Sequence, residues 1–314
     1  MNKISITLSK KERGAFIVLI LTGILALSYF KGLDLQKNIE TERVMHDALF
    51  AKLNPFRSVV FEARSVYIMN LANSNELYTR HPDTVLPLAS LAKIMTALVV
   101  LEHLPNDAIV TIDKDALSLT GSVGFKVGER FDRDSLLTIM LVDSSNDAAR
   151  ALAKKTAGTP EQFVALMNEK ARELGLTKTV FYNESGLDES STRSGAYGTA
   201  REIAHLASYF YSKYPSIAET TKRQTIVVTS IDKNSYTIEN TNTSIDRLMN
   251  LHVSKTGYTK LAGGNLLVVV DANQNEPVVL VVLGSSMTGR FDDIIRLTES
   301  AVQFFQLQSI KNQL

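Results

Sequence analysis

The hydrophobic residues of this chain form one long uninterrupted run near its beginning and shorter, periodic patterns after it. The run is GAFIVLILTGILALSYF, residues 14–30; it contains no charged residue and follows the basic stretch KKER. At about 1.5 Å per residue, a helix of this length spans about 25 Å, slightly less than a typical hydrocarbon core. Residues 14–30 are therefore predicted to lie in a membrane.

This segment could be a cleaved signal peptide or an uncleaved signal anchor. A cleaved signal peptide should end in small residues, and LALSYFKG matches that pattern poorly, so an uncleaved signal anchor is the favoured interpretation. The basic residues before the segment should stay in the cytoplasm, which places the remainder of the chain outside. We thus expect residues 1–30 to form a cytoplasmic tail and a single-pass transmembrane anchor, or a secretion signal if the segment is cleaved.

The residues that follow predict a short connector and then a folded domain with strands at both of its ends. Residues 31–57 are charged and loosely helical, and they are predicted to be a juxtamembrane spacer. The domain, residues 58–314, opens with VVFEARSVYIMN and ELYTR, two strands joined by the turn LANSN. Its last third predicts two more hairpins, in RQTIVVTSI with NSYTIENT and in GGNLLVVVDANQNEPVVLVVLG.

Between these strands the apolar residues recur at helical spacing. The predicted helices are ASLAKIMTALVVLEHL, RDSLLTIMLV, DAARALAKKTAG, TPEQFVALMNEKARELG and TAREIAHLASYFYSKYP, and RFDDIIRLTESAVQFFQ follows the last strand. Strands at both ends with helices between them predict an α/β fold of the α+β type. In it, one antiparallel sheet made from N- and C-terminal strands packs against a helical cluster.

Composition removes several function classes. The 34 basic and 33 acidic residues give a formal net charge of +1, so no nucleic-acid partner is expected. The absence of cysteine excludes disulfides, thiolate metal sites and cysteine nucleophiles. None of the five histidines has a metal-binding spacing, and no Gly-x-Ser-x-Gly elbow is present. We therefore expect no metal, no cofactor and no Ser-His-Asp hydrolase.

The first candidate for chemistry is the pair Ser90 and Lys93 at the start of an apolar helix. Residues three apart share a helix face, and burial would lower the pKa of a lysine until it could accept the proton of a serine hydroxyl. Ser-x-x-Lys is a weak signal alone, and Ser230–Lys233 matches it too, at a strand junction. The structural alternative is a helix-capping serine beside a solvated lysine.

Two further motifs follow in order. Ser144-Ser145-Asn146 lies between two predicted helices, where a serine could simply cap the second helix. Lys255-Thr256-Gly257 lies before a predicted strand, where it could be a solvated turn. The motifs are separated by 54 and 111 residues, and each of the last two occurs once. Ser-x-x-Lys, Ser-x-Asn and Lys-Thr-Gly in this order are the signature of active-site-serine penicillin-binding proteins and β-lactamases.

On these motifs the chain resembles the serine D-alanyl-D-alanine carboxypeptidases, the low-molecular-mass penicillin-binding proteins. The resemblance extends over roughly residues 58–306, including LLTIMLVDSSNDAARALA, FVALMNEKARELGLTKTVFYNESGLD and HVSKTGYTKLAGGNLLVVV. It implies a β-lactamase-like fold and a bacterial enzyme, anchored through residues 14–30 with its domain outside the cytoplasm, that trims peptidoglycan stem peptides. β-Lactams would be covalent inhibitors.

The resemblance also implies roles for matching residues. Ser90 would attack the D-Ala–D-Ala peptide bond with Lys93 as general base, and Ser144 would pass the proton to the leaving D-alanine. Asn146 would hold the substrate backbone.

In the third motif, Lys255-Thr256-Gly257, Lys255 and Thr256 would bind the terminal carboxylate. The backbone N–H groups of Ser90 and Tyr258 would form the oxyanion hole.

The chain departs from the family pattern in two respects. Ser145 stands where the middle motif usually carries glycine, and we expect this to be tolerated because that side chain points away from the site. The chain also stops shortly after its last predicted helix, as the shorter D,D-endopeptidase relatives do. An endopeptidase that cuts crosslinks, a non-catalytic wall-binding scaffold and a β-lactamase therefore stay open as alternatives.

Overall fold

The computed structural model describes residues 10–118 and 123–312, and the chain divides between Asn54 and Pro55 into two units. The first unit contains one helix, α1 (Lys10–Lys52). Over the described part of the chain, no helix has both the length and the hydropathy needed to cross a membrane. Most side chains of residues 14–30 lie outside the described set, so the anchor stays a prediction from sequence without structural support.

The second unit contains the remaining helices. They are α2 (Lys93–His103), α3 (Arg133–Val142), α4 (Asn146–Ala157), α5 (Pro160–Glu173), α6 (Ala200–Lys213), α7 (Pro215–Ala218) and α8 (Gly289–Lys311). Residues close in sequence determine where several of these helices begin. For example, Thr159 caps α5 by accepting a hydrogen bond from the Gln162 N–H, and Pro160 occupies the first turn. Each helix predicted from apolar periodicity is present.

The strands of the second unit form four sheets, of which the largest positions the site. The strands are β1 (Ser65–Asn70), β2 (Glu76–Arg80), β3 (Leu86–Pro87), β4 (Ile109–Thr111), β5 (Arg130–Asp132), β6 (Val180–Phe181), β7 (Ala196–Gly198), β8 (Thr225–Thr229), β9 (Ser235–Glu239), β10 (Leu251–Thr259), β11 (Gly263–Asp271) and β12 (Pro277–Ser285). The large sheet has the order β10-β11-β12-β1-β2 and is antiparallel throughout. It joins strands from both ends of the domain, which confirms the predicted α+β class.

The two faces of this sheet bury different side chains because residues alternate along each strand. Tyr67 and Met69 of β1 pack with the helices of the first core, whereas Val66 and Ile68 pack into a second core with α8. The same alternation runs through β11 and β12. The helical cluster and α8 therefore cover opposite faces of one sheet.

The predicted first strand is longer than the observed one. It was expected from Val59 but begins at Ser65. The backbone N–H groups of Glu62 and Ala63 donate instead to the Asp293 carboxylate of α8, each at 2.9 Å. A side-chain acceptor thus replaces a neighbouring strand at this point, which alternation alone cannot reveal.

Candidate active site

Ser90 and Lys93 meet at the start of α2. Ser90 lies in the 3-10 turn Ala89–Ala92, and Lys93 is the first residue of the α-helix. The Lys93 ammonium is fully buried and lies 2.9 Å from the Ser90 hydroxyl oxygen. Neither helical segment has a side-chain cap at its N-terminus. The alternative of a capping serine beside a solvated lysine is therefore excluded by the geometry.

Lys93 has two further acceptors deep in the site. Its Nζ atom lies 2.7 Å from Asn146 Oδ1 and 3.0 Å from the Ser185 carbonyl oxygen. Burial lowers the pKa of Lys93 to about 7, against the opposing attraction of the Glu184 and Asp143 carboxylates. Near neutral pH a large fraction of this lysine is therefore an uncharged base.

The two serines of the middle motif have different surroundings: one caps a helix, and the other contacts a lysine of the site. Ser145 caps α4, because its hydroxyl accepts a hydrogen bond from the Ala148 N–H at 3.2 Å. Ser144 has a left-handed backbone with φ of 67°, and its hydroxyl accepts a hydrogen bond from Lys255 at 2.9 Å. Asn146 then begins α4 and contacts Lys93. The cap directs Ser145 into α4, leaving its neighbours to face the two lysines.

Lys255 is a second buried lysine, on β10. It donates hydrogen bonds to Ser144 and to the Thr256 carbonyl oxygen at 3.0 Å. Burial lowers its pKa well below the ordinary range, and the positive charges of Lys93 and Arg290 act in the same direction. The hydroxyl oxygens of Thr256 and Thr241 are 2.6 Å apart. This motif is a strand with buried polar groups, not a solvated turn.

Two glycines permit close approach of backbone around Ser90. A Cβ on Gly257 would lie 2.9 Å from the Leu88 carbonyl oxygen and 3.2 Å from the Ser90 nitrogen. A Cβ on Gly186 would lie 1.9 Å from the Ala89 carbonyl oxygen, and φ there is 77°. With a side chain at either position, the segment that carries it could not pack this closely against the Ser90 turn.

The eight predicted site residues lie in three contacting segments, which are the Ser90 turn with the start of α2, the residues that begin α4, and β10. These residues are Ser90, Lys93, Ser144, Asn146, Lys255, Thr256, Gly257 and Tyr258. Tyr258 is 46% exposed and follows Gly257 on β10. The other Ser-x-x-Lys match, Ser230–Lys233, forms the β8–β9 hairpin turn, with the Lys233 N–H bonded to the Ser230 carbonyl.

Other residues of the site were not identified from sequence. Asn265 donates to the carbonyl oxygens of Pro87 and Leu88, both at 3.0 Å, and so ties the Ser90 turn to β11. Arg290 is buried and donates to the Gly257 carbonyl at 2.8 Å. The Ser185 carbonyl belongs to ESGLD, a stretch noted only for its resemblance to the family. A backbone acceptor leaves no signal in residue type.

This arrangement can support nucleophilic chemistry without a metal ion. It joins a partly exposed hydroxyl, a buried lysine with a pKa of about 7 and a second buried lysine whose pKa is also lowered. Within residues 10–118 and 123–312, no group of three or more His, Cys, Asp or Glu side chains could hold a metal ion. The contact between Ser90 and the buried Lys93 supports attack by an activated serine.

Comparison with known proteins agrees with this geometry. The D-alanyl-D-alanine carboxypeptidase family, peptidase family S11, matches residues 54–287. The chain is 33% identical to the D-alanyl-D-alanine endopeptidase of Escherichia coli (strain K12) over 70% of each protein. It is also 33% identical to the D-alanyl-D-alanine carboxypeptidase DacF of Bacillus subtilis (strain 168), over 76% of this chain and 61% of that protein.

A solved structure supports the same assignment. Penicillin-binding protein D2 from Listeria monocytogenes, in its cefotaxime-bound form, superposes with a TM-score of 0.68 at 29% identity. The superposition covers 78% of this chain and 98% of that protein. The family match spans well over half of the sequence and contains all three motifs. The chain belongs to the D-alanyl-D-alanine carboxypeptidase family of serine peptidases.

Proposed function

We propose that this protein is a serine D-Ala-D-Ala carboxypeptidase that removes the terminal D-alanine from peptidoglycan stem peptides through an acyl-enzyme. The observation that carries this proposal is the hydrogen bond between Ser90 and Lys93, a fully buried lysine with a pKa of about 7. A base of this pKa is available at neutral pH, whereas an ordinary lysine would be charged.

Acylation begins with proton transfer. Neutral Lys93 takes the proton from the Ser90 hydroxyl as its oxygen attacks the carbonyl carbon of the D-Ala–D-Ala bond. The backbone N–H groups of Ser90 and Tyr258 stabilise the oxyanion that forms. Ser144, linked to Lys255, passes the proton taken up by Lys93 on to the leaving nitrogen, so the C–N bond breaks, D-alanine departs and Lys93 is neutral again. Water then hydrolyses the acyl ester.

The substrate's free carboxylate is assigned to the site around Lys255, the second buried lysine. Lys255 and Thr256 bind it, and the buried Arg290 adds positive charge beside them. Burial favours the neutral form of Lys255, but an anionic carboxylate favours its ammonium form. Substrate binding therefore draws a proton onto Lys255. Asn146 holds the stem-peptide backbone while it orients Lys93.

The second candidate is a D,D-endopeptidase with the same chemistry. It is favoured by the relative from E. coli, which carries that name at 33% identity. Cleavage of isolated pentapeptide and of crosslinked muropeptide dimers distinguishes the two activities. We expect release of D-alanine from the pentapeptide; cleavage of dimers alone would favour the endopeptidase.

The cellular place proposed for this activity is the outer face of the bacterial cell membrane. Peptidoglycan substrates lie outside the cytoplasm, and the basic residues before residues 14–30 favour that orientation of the domain. Fractionation of cells that express the full chain tests this: protein in the membrane fraction supports an anchor, and protein in the medium supports cleavage.

The enzyme proposal is tested by intact-mass measurement after incubation with benzylpenicillin. We expect one stable adduct on the protein and none on Ser90→Ala. Rapid turnover of penicillin without an adduct would indicate a β-lactamase. No adduct together with no penicillin consumption would favour the non-catalytic scaffold.

A further inference from the structure

A buried ion pair lies behind Lys93, outside the three motifs. The Glu184 side chain is fully buried, and its Oε1 atom accepts a hydrogen bond from Arg150 Nε at 2.7 Å. Arg150 lies on α4, and its side chain is 21% exposed. A second carboxylate oxygen, on the half-exposed Asp115, is 3.7 Å from Arg150. The shorter and more buried ion pair of Arg150 is thus the one with Glu184.

This pair joins the two elements that supply the acceptors of Lys93. Asn146 and Arg150 are four residues apart on α4 and so share one helix face. Ser185, whose carbonyl oxygen is the other acceptor, directly follows Glu184. The ion pair therefore connects α4 to the segment that carries Ser185, at the positions where both reach Lys93.

The backbone around Glu184 is also held by hydrogen bonds to the side chains of Asn183 and Thr96. Asn183 Oδ1 accepts hydrogen bonds from the N–H groups of Ser185 at 3.2 Å and Gly186 at 2.7 Å. The Thr96 hydroxyl, one turn after Lys93 on α2, donates to the Glu184 carbonyl at 2.6 Å. Because these bonds do not involve the Glu184 carboxylate, its charge can be removed while much of the local geometry is kept.

We infer that Glu184 and Arg150 are positioning residues for the proposed general base: their ion pair holds together the two segments that supply the acceptors of Lys93, Asn146 on α4 and the Ser185 carbonyl. This inference rests on the proposed function of Lys93. Neither residue reaches the reacting atoms. Both act through Lys93 and through the two acceptors that hold it.

The charges around Lys93 give the two residues opposite effects. The Glu184 and Asp143 carboxylates favour its ammonium form, and Lys255 is the neighbouring buried amine. Glu184→Gln removes one of the attracting charges and should lower the pKa of Lys93. Arg150→Met leaves the Glu184 carboxylate without its counter-charge, so its attraction for the Lys93 ammonium should strengthen and the pKa of Lys93 should rise.

The experiment is the pH dependence of acylation by benzylpenicillin, measured on the full chain and its variants. For Glu184→Gln, the midpoint of the rising limb should move down by about half a pH unit, equal to about threefold faster acylation below the midpoint relative to the variant's own plateau. For Arg150→Met it should move up by a similar amount. A purely structural role would lower the rate without moving the midpoint.

Matched variants separate this effect from damage to the fold. Glu161→Gln removes an exposed carboxylate that lines the same cavity of about 320 Å³ as Glu184, and its midpoint should equal that of the parent. The double variant Arg150→Met/Glu184→Gln should lie between the single variants, and with Glu184→Gln it decides the question if Arg150→Met does not fold.

The outcomes distinguish this inference from the proposed function. If the midpoints do not move, or if both single variants shift in the same direction, the positioning role is overturned. Provided that the parent is acylated, that result leaves the proposed role of Lys93 as the base in place. Absence of acylation in the parent, as in Ser90→Ala, would overturn both.

Discussion

Burial of Lys93 should make the stability of this protein depend on pH, and Lys93→Met should remove the part of that dependence that Lys93 contributes. The pKa of this lysine is about 7 in the folded protein, against an ordinary value of 10.5. Between these values the unfolded chain binds more protons than the folded protein, so stability rises with pH. The cost of burying Lys93 is fully present below pH 7 and disappears as the pH rises through 10.5.

The magnitude follows from the size of this shift. One pH unit corresponds to about 1.4 kcal/mol, and linkage between pH 7 and pH 10 gives a gain of about 3–4 kcal/mol from Lys93 alone. Because the side chain is fully buried, solvent does not screen this effect. Lys255 titrates in both proteins, and burial is the first cause of its lowered pKa in each, so the difference between parent and variant reports chiefly on Lys93, with a smaller part from the loss of its charge beside Lys255.

The assay is equilibrium unfolding in urea at pH 7 and pH 10, on the parent, on Lys93→Met and on Lys155→Met. The parent should gain about 3–4 kcal/mol more than Lys93→Met between the two pH values. Lys155 is exposed on α4, so Lys155→Met should behave as the parent does. Equal gains in the parent and Lys93→Met would refute the argument that burial depresses the pKa of this lysine.

Three further predictions concern the elements that hold the site. Ser145→Ala should cost about 1 kcal/mol of unfolding free energy through loss of the α4 cap, whereas Ser145→Gly should cost only a few tenths, and both should still be acylated by benzylpenicillin in a mass assay. Asn265→Leu removes both hydrogen bonds to the Ser90 turn and should lower the thermal midpoint and the acylation rate together. Gly186→Ala should abolish acylation, because its Cβ would overlap the Ala89 carbonyl oxygen; a near-normal adduct yield would contradict the close approach.

Much of the fold could be predicted because local physics determines it. Apolar periodicity identified the helices, and the serines that could cap α4 were recognised from their place between two helical patterns. The sheet followed from strands at both ends of the domain. The boundary at Ser65 could not be predicted, because the acceptor that ends strand pairing there, Asp293, lies more than 200 residues away in the chain.

The candidate site also has features that the sequence predicts and features that only the folded chain shows. By itself, the sequence determined which side chains are the candidates for nucleophile, base and carboxylate binding, because these are chemical types at short, recognisable spacings. Only the tertiary structure decided their state, since the pKa of Lys93 depends on burial and on charges from distant segments. It also revealed Arg290, the Ser185 carbonyl and the Arg150–Glu184 pair. Those residues act through contacts that exist only after the chain has folded.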